Sequence, residues 1–448
     1  MHGRYTNINN AFYALVSDIH DGEILTEVEP SRNGEVMMIP EPVILTYENP
    51  TERVLFNTAR DANPFFHLFE ALWMLAGRND VAALDTYNSN MKNYSDDGET
   101  FNGAYGYRWR KAKEAFFDTD LDYIDYNEID QLNILINHLK NNPTSRRAVL
   151  QMWNVEDDLL QIDKEPDTRC TWCVGKGVDP GTESTYCKHC SGTGVARKGT
   201  PASKDVCCNL SVMFSVETGV CPECGGEGGM EIDTGAPMPE GGGFYTVYEP
   251  CQNCNDLPHN VPRYLNMTVT NRSNDLIWGA LGANYVHFSF LQEYVACCLG
   301  LEVGVYNQIS NNLHAYKDKW EPHKWLNYYT GPTGKNHQGE DVYEVPHQKD
   351  YDSTWTHIPL VNDKETFDRE VKEFVTDYAK KWTEPFLLNV AFPMCAAFSW
   401  HKTRDYGLAL DMMTDVGQED WRIAGTNWIL KRKEMWESKQ DALSARED

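Results

Sequence analysis

The sequence predicts an α/β (α+β) fold interrupted by two cysteine-rich inserts, and three patterns carry that prediction. The first is strand-like alternation. Asp205 to Val216, DVCCNLSVMFSV, puts Cys208, Leu210, Val212 and Phe214 on one face and Cys207, Asn209, Ser211 and Met213 on the other, and YLNMTVTN from Tyr264 to Asn271 repeats the period of two. The second is a set of helical patterns on either side: residues 8–20, Asn63 to Gly77 and residues 129–141 before these strands, and a helix opening at Gly279 and running to Leu299 after. The third is that eight of the 13 cysteines form four Cys-x-x-Cys pairs, two pairs on each side of the first strand.

Each element has its own local cause. Residues 8–20 form an amphipathic opening helix, and Ser31-Arg32-Asn33-Gly34 is a turn leading into the strand-like VMMIPEPVILTY. Pro64 opens the next helix and Gly77 closes it. Within it Glu70 sits among Phe66, Phe69, Trp73 and Met74, where a buried carboxylate is costly unless it has a partner or a task. An exposed helix carboxylate is the plainer alternative. Phe101 to Arg110 sets two glycines beside aromatic residues, as a tight loop would. The helix over 129–141 ends at Asn142-Pro143, and Arg146 and Arg147 then precede a strand. Neighbours on a strand face opposite ways, so both arginines can serve one anion only from its irregular start. His314 and Tyr316 occupy alternate positions and face one side. Beyond Lys319 come helix-like patterns near 366–382 and 418–436, for which packing on the core or on a partner subunit is the expectation.

Composition excludes several classes of function. A net charge of −27 opposes non-specific binding to duplex nucleic acid, although a single small anion needs only a local arginine pocket. No apolar run approaches a membrane span and the first residues lack the layout of a signal peptide, so a cytoplasmic protein is expected. Cys-x-x-Cys spacing in a long chain fits metal binding in a reducing compartment better than disulfides.

Three of the pairs continue into glycine-rich runs, CVGKG, CSGTG and CGGEG, which resemble the zinc repeats of DnaJ-type co-chaperones. Two cysteines three positions apart can hold one tetrahedral ion from a turn. The inserts leave opposite ends of a strand of roughly ten residues, about 30 Å apart at about 3.3 Å per residue. Two structural zinc sites are therefore expected, one from Cys170, Cys173, Cys187 and Cys190 and one from Cys221, Cys224, Cys251 and Cys254. The crossed pairing of the co-chaperone repeats stays open if the inserts fold back.

SRRAVLQMWN, VCCNLSVMF and NRSND, in that order, resemble the thymidylate synthase family, which includes the phage-type deoxypyrimidine hydroxymethylases. The resemblance covers roughly residues 10–155, 205–216 and 263–320. It implies a mixed sheet with flanking helices, built from core segments at 1–157, 205–216 and 263–334, with zinc-binding inserts at 158–204 and 217–262 and a C-terminal extension of unknown role at 335–448. It also implies site residues. Cys208 would be the nucleophile, with Arg272 close enough to favour its thiolate. Glu70 would organise water and proton transfer, Tyr105 would line the site, and Asn284 would read the base, with Ala283 and His287 as alternative occupants because one extra residue intervenes. Arg32, Arg146, Arg147, Arg272 and Ser273 would hold phosphate, with Arg146 and Arg147 reaching across an obligate homodimer into the partner's site. His314 and Tyr316 would hold the sugar, and Asp275 would contact folate.

The implied reaction transfers a one-carbon unit from methylenetetrahydrofolate to carbon 5 of a deoxypyrimidine monophosphate. Hydride then gives a methyl group, and water gives hydroxymethyl. Two departures favour water: Met91 and Tyr94 stand where family thymidylate synthases have walling tryptophans, and the chain ends in ESKQDALSARED rather than a short apolar tail. Hydroxymethylation of dUMP is the favoured expectation. Its alternatives are dUMP methylation, modification of dCMP, and an inactive zinc-bearing scaffold. The hydroxymethyl reading would suit base modification for a phage genome, in the host cytoplasm.

Overall fold

The computed structural model describes residues 1–31, 33–118, 123–159, 173, 176, 187, 203–221, 223–225, 229–237, 244–251, 263–326, 351, 352 and 354–447. Among them the strands are β1 (His2–Tyr5), β2 (Glu27–Ser31), β3 (Gly34–Met38), β4 (Val43–Tyr47), β5 (Ala112–Asp118), β6 (Tyr123–Ile129), β7 (Val149–Gln151), β8 (Asn209–Thr218), β9 (Gly229–Pro237), β10 (Phe244–Pro250), β11 (Arg263–Asn271), β12 (Asn274–Asp275), β13 (Glu302–Ser310) and β14 (Leu313–Tyr316). The α-helices are α1 (Ile8–His20), α2 (Pro64–Leu75), α3 (Val81–Asp85), α4 (Tyr105–Arg110), α5 (Gln131–Asn141), α6 (Ala283–Leu299), α7 (Pro322–Leu326), α8 (Lys364–Phe374), α9 (Phe392–Lys402), α10 (Tyr406–Thr414) and α11 (Glu419–Glu447). None is long and apolar enough to cross a membrane.

Six strands form a mixed sheet in the order β1-β4-β13-β11-β8-β7. The β1–β4 and β13–β11 pairs are parallel and the other three antiparallel. Alternation decides its two faces. Leu45, Val212, Phe214, Leu265, Met267, Val269 and Tyr306 are buried on one face, where α6 crosses β11 and β13 and α2 packs on α6. On the other face Val149 and Met213 are exposed, and Ser211 and Thr270 are half-buried with their hydroxyls 2.9 Å apart. A second sheet, β12-β14-β3-β2, stands at the strand ends and carries several site residues.

Helix α2 is apolar on every side because it is covered on every side. Asn63 caps it by accepting from the Phe66 backbone N–H, and α6, α8, α9 and α11 all contact it. The C-terminal helices therefore pack on the core, one of the two expectations for the tail. They are fastened by a buried ion pair: Arg53 is bound to Glu293, whose second oxygen lies 3.0 Å from both the His357 Nε2 and the Leu360 backbone N–H that donates to it. Burial opposes the Glu293 carboxylate, yet Arg53 and His357 hold its pKa down to about 2.

The structure corrects several boundaries. The run VMMIPEPVILTY is not one strand, because Pro40 and Pro42 interrupt it, and β3 and β4 belong to different sheets. The second half of Phe101 to Arg110 is helix α4, not loop, and Gly106 is required there by close packing: a Cβ would stand 2.0 Å from the Met74 carbonyl oxygen. The helix expected over 129–141 starts at Gln131, since Ile129 ends β6 and the Asp130 side chain caps the Asn133 N–H. Gly279 lies in a wide turn, and the helix expected from it starts at Ala283. Cys207 and Cys208 precede β8 rather than lie in it. The register shifts between the Thr270–Ser211 and Asn271–Asn209 pairs, and such an irregularity re-aims the residues beside it.

Replacing Glu293 by Ala leaves Arg53 buried without its counter-ion. The expected loss is about 3–5 kcal/mol of unfolding free energy, read from urea titration. A loss under about 1 kcal/mol means that this pair does not anchor the extension.

Candidate active site

Cys208 stands at the irregularity before β8, and Arg272, the residue after β11, ties that bend down. The Arg272 backbone N–H donates to the Cys208 carbonyl (2.9 Å), Nε to the Cys207 carbonyl (2.8 Å) and Nη2 to the Val206 carbonyl (3.3 Å). The same Nη2 lies 3.9 Å from Cys208 Sγ, where a fixed positive charge favours thiolate over thiol. Cys207 is placed differently. It is buried with Sγ 3.5 Å from the Gly103 carbonyl, and burial raises its thiol pKa far above the ordinary range. Of the adjacent pair, Cys208 alone is half-buried, and it is the one beside Arg272.

Tyr105 opens α4 beside these cysteines. Burial, with Cys208 and Cys207 adding to it, pushes its phenol pKa well up, while the Cys208 backbone hydrogen-bonds it. Its ring stacks on Phe288 of α6, centroids 6.0 Å apart. Glu70 is buried as expected for a residue with a partner, and that partner is His287, whose Nε2 lies 2.9 Å from a Glu70 oxygen. The approach is off the axis of a hydrogen bond, so both His287 nitrogens lack a hydrogen-bonding partner. Three residues before Glu70, the His67 imidazole is pushed down to about 3 by burial, then by His287 and Arg60.

Asn284 lies in the first turn of α6, and its Nδ2 donates to Asn274 Oδ1 (3.0 Å). Gly279 makes room for that pair, since a Cβ there would stand 2.4 Å from Asn274 Oδ1. Ala283 is the first helical residue. Asp275 and His314 are register partners in β12 and β14 and therefore neighbours. Burial lowers the His314 pKa against the pull of Asp275, and burial raises that of Asp275. The His314 ring stands edge-on to Tyr316 at 5.6 Å, and the Tyr316 hydroxyl accepts from Asn33 Nδ2 (3.3 Å). Arg32 lies outside the described residues. Ser273 is half-buried in the bend between β11 and β12. Arg146 and Arg147 are exposed in the irregular segment before β7.

Two residues that sequence reasoning did not single out complete the cleft. The Arg60 guanidinium lies 3.8 Å over the half-exposed Trp278 ring and donates through Nη2 to the Ile277 carbonyl (3.0 Å). Burial lowers its pKa to about 10, which leaves it charged at neutral pH. Nothing in the surrounding sequence marks Arg60; the one available signal is that Trp278 follows Asp275 by three. Arg60 Nε and Nη1, Asp275 Oδ2, both Asn209 amide atoms and both His287 nitrogens are buried without hydrogen-bond partners. Buried polar groups are ordinarily paired, so this concentration marks where a polar ligand and ordered water belong.

Away from the cleft, the Cys221, Cys224 and Cys251 sulfurs lie within 4.8 Å of one another and are buried. Backbone N–H groups of Cys224 and Glu223 hold the Cys221 thiol pKa low. Cys173 and Cys187 form a separate buried cluster. Cys170, Cys190 and Cys254 lie outside the described residues.

A mixed sheet whose strand ends carry a thiol beside a guanidinium and an imidazole beside a carboxylate has the groups that a group-transfer enzyme uses. A family model described as thymidylate synthase matches residues 11–174. A deoxyuridylate hydroxymethyltransferase of Pseudomonas phage M6 is 35% identical over 416 residues, covering 92% of this chain and 89% of that protein. One from Bacillus phage SP01 is 30% identical over 306 residues, 68% of this chain and 56% of that protein. A thymidylate synthase of Ascaris suum is 33% identical over 101 residues, 20% of this chain and 34% of that protein. The chain belongs to the thymidylate synthase family.

Proposed function

We propose that this protein is a dUMP hydroxymethyltransferase. The observation that carries the reading is likeness along nearly the whole chain to a phage deoxyuridylate hydroxymethyltransferase, against a fifth of it for the thymidylate synthase of Ascaris suum. The chemistry of the cleft suits the reaction. The Cys208 thiolate, favoured by Arg272, adds to carbon 6 of the pyrimidine and makes carbon 5 nucleophilic. Methylenetetrahydrofolate, when bound, supplies the methylene carbon. Asn284 spends one Nδ2 hydrogen on Asn274, which leaves a donor for a uracil oxygen and an acceptor for the ring N–H. His314 and Tyr316 hold the sugar hydroxyl, and Arg32, Arg272 and Ser273 hold phosphate. The partnerless Asp275 Oδ2 and Arg60 nitrogens, beside the open Trp278 face, fit a flat heterocycle rich in N–H donors and acceptors, as a pterin is.

The reading includes a homodimer. The half-exposed sheet face carrying Val149 and Met213, with Arg146 and Arg147 exposed next to its β7 edge, suits a two-fold contact in which the arginine pair serves the partner's phosphate site. It also includes two structural zinc ions, one on Cys221, Cys224 and Cys251 with Cys254, the other on Cys170, Cys173, Cys187 and Cys190.

Incubation with dUMP tritiated at carbon 5 and methylenetetrahydrofolate is expected to release tritium and yield 5-hydroxymethyl-dUMP by mass. Parallel dCMP is expected to give none, and Cys208→Ser to release none; release by that variant removes Cys208 as the nucleophile. Mixing inactive Cys208→Ser and Arg147→Ala chains is expected to restore about a quarter of wild-type activity, because half of random dimers carry one intact site. No restoration rules out shared sites. Metal analysis is expected to give two zinc ions per chain and one in Cys221→Ser, and a wild-type chain without zinc ends the proposal for both inserts.

A further inference from the structure

The geometry points to His287 as the positioning residue that, through the Glu70 carboxylate, holds the water that ends the reaction and so makes the product hydroxymethyl rather than methyl. The inference rests on the hydroxymethyltransferase reading and deepens it.

Position comes first. On α6, His287 falls three residues after Asn284 and one before Phe288, and so shares a helix face with Asn284. Asn284 sits against Asn274, and Phe288 stacks on the Tyr105 ring, whose hydroxyl is hydrogen-bonded by the Cys208 backbone. The imidazole is thus carried on the helix that also presents the residue assigned to the base and the wall beside the thiol. The contacts come second. His287 Nε2 is 2.9 Å from Glu70 yet misaligned for a hydrogen bond, and neither ring nitrogen has a hydrogen-bond partner although the residue is 3% exposed. A buried water needs two to four polar partners, and an imidazole donor or acceptor beside a carboxylate oxygen supplies them. Reduction by hydride needs no such water.

The step balances as the addition of one water, with nothing oxidised or reduced. The water oxygen bonds to the exocyclic methylene carbon, and the π electrons of that carbon–carbon bond move through carbon 5 onto the carbon 4 oxygen as an enolate. The water proton passes to Glu70, and His287 orients the carboxylate to take it. The enolate electrons then form the carbon 5–carbon 6 double bond as the carbon 6–Sγ bond breaks, which returns Cys208 to thiolate.

The test uses the full chain and separates early from late steps, since tritium release reports events before water addition. His287→Phe is expected to lower hydroxymethyl-dUMP formed per tritium released by at least about tenfold, with the stranded methylene captured by added 2-mercaptoethanol as a thioether. His287→Gln, whose amide can still bind water, is expected to recover part of the loss, and it decides the matter alone if His287→Phe does not fold. An unchanged product-to-tritium ratio in His287→Gln and His287→Phe overturns the inference, as does a parallel fall of both readouts, which marks a structural role. A wild-type protein yielding methyl-dUMP sinks the reaction reading itself, before any variant is considered.

Discussion

Everything in the cleft depends on Arg272 fastening the bend at residues 206–208. Two of its side-chain nitrogens and its backbone N–H are spent on the carbonyls of Val206, Cys207 and Cys208, so the guanidinium cannot swing away from the Cys208 sulfur. The bend in turn exists because the β8–β11 register shifts at Asn209 and Asn271. A regular ladder would carry the alternation of β8 through Cys208 and place it with Val212 and Phe214 in the core. The irregularity instead buries Cys207 and leaves Cys208 beside the charge.

Around that fixed point the protein keeps polar groups buried and underused. Glu70 and His287 face each other without a hydrogen bond, Asp275 retains an unpaired oxygen, and Arg60 rests on Trp278 with two nitrogens unspent. Buried polar groups without hydrogen-bond partners cost stability. The cost is borne by a large core: α2 is covered by α6 and by C-terminal helices, and His357 and the Leu360 N–H join the extension to the core through Glu293, the partner of Arg53. The extension also reaches the cleft's rim. Arg432 forms a bidentate pair with Asp61, which has φ of 58° and is the neighbour of Arg60. A left-handed aspartate persists where its surroundings over-determine it.

Much of the candidate site was legible in the sequence because its residues come in short ordered runs. Helix α2, β11 and the His314–Tyr316 strand also announced themselves, through Pro64, through strict alternation and through spacing. Where local rules failed, packing had won. Gly106 reads as a loop glycine until α2 is seen pressing on it, and the long run after Gly34 reads as one strand until its halves part into two sheets.

By itself the sequence determined the α/β class and named the thiol, the acid and the ligand-facing residues as candidates, because residue type and spacing along one chain state those directly. Only the tertiary structure decided which of two adjacent cysteines stands beside the cation, which histidine meets Glu70, and that Arg60 and Trp278 close the cleft. Those choices are contacts between segments 64 to 218 residues apart, fixed by register and burial rather than by any local pattern.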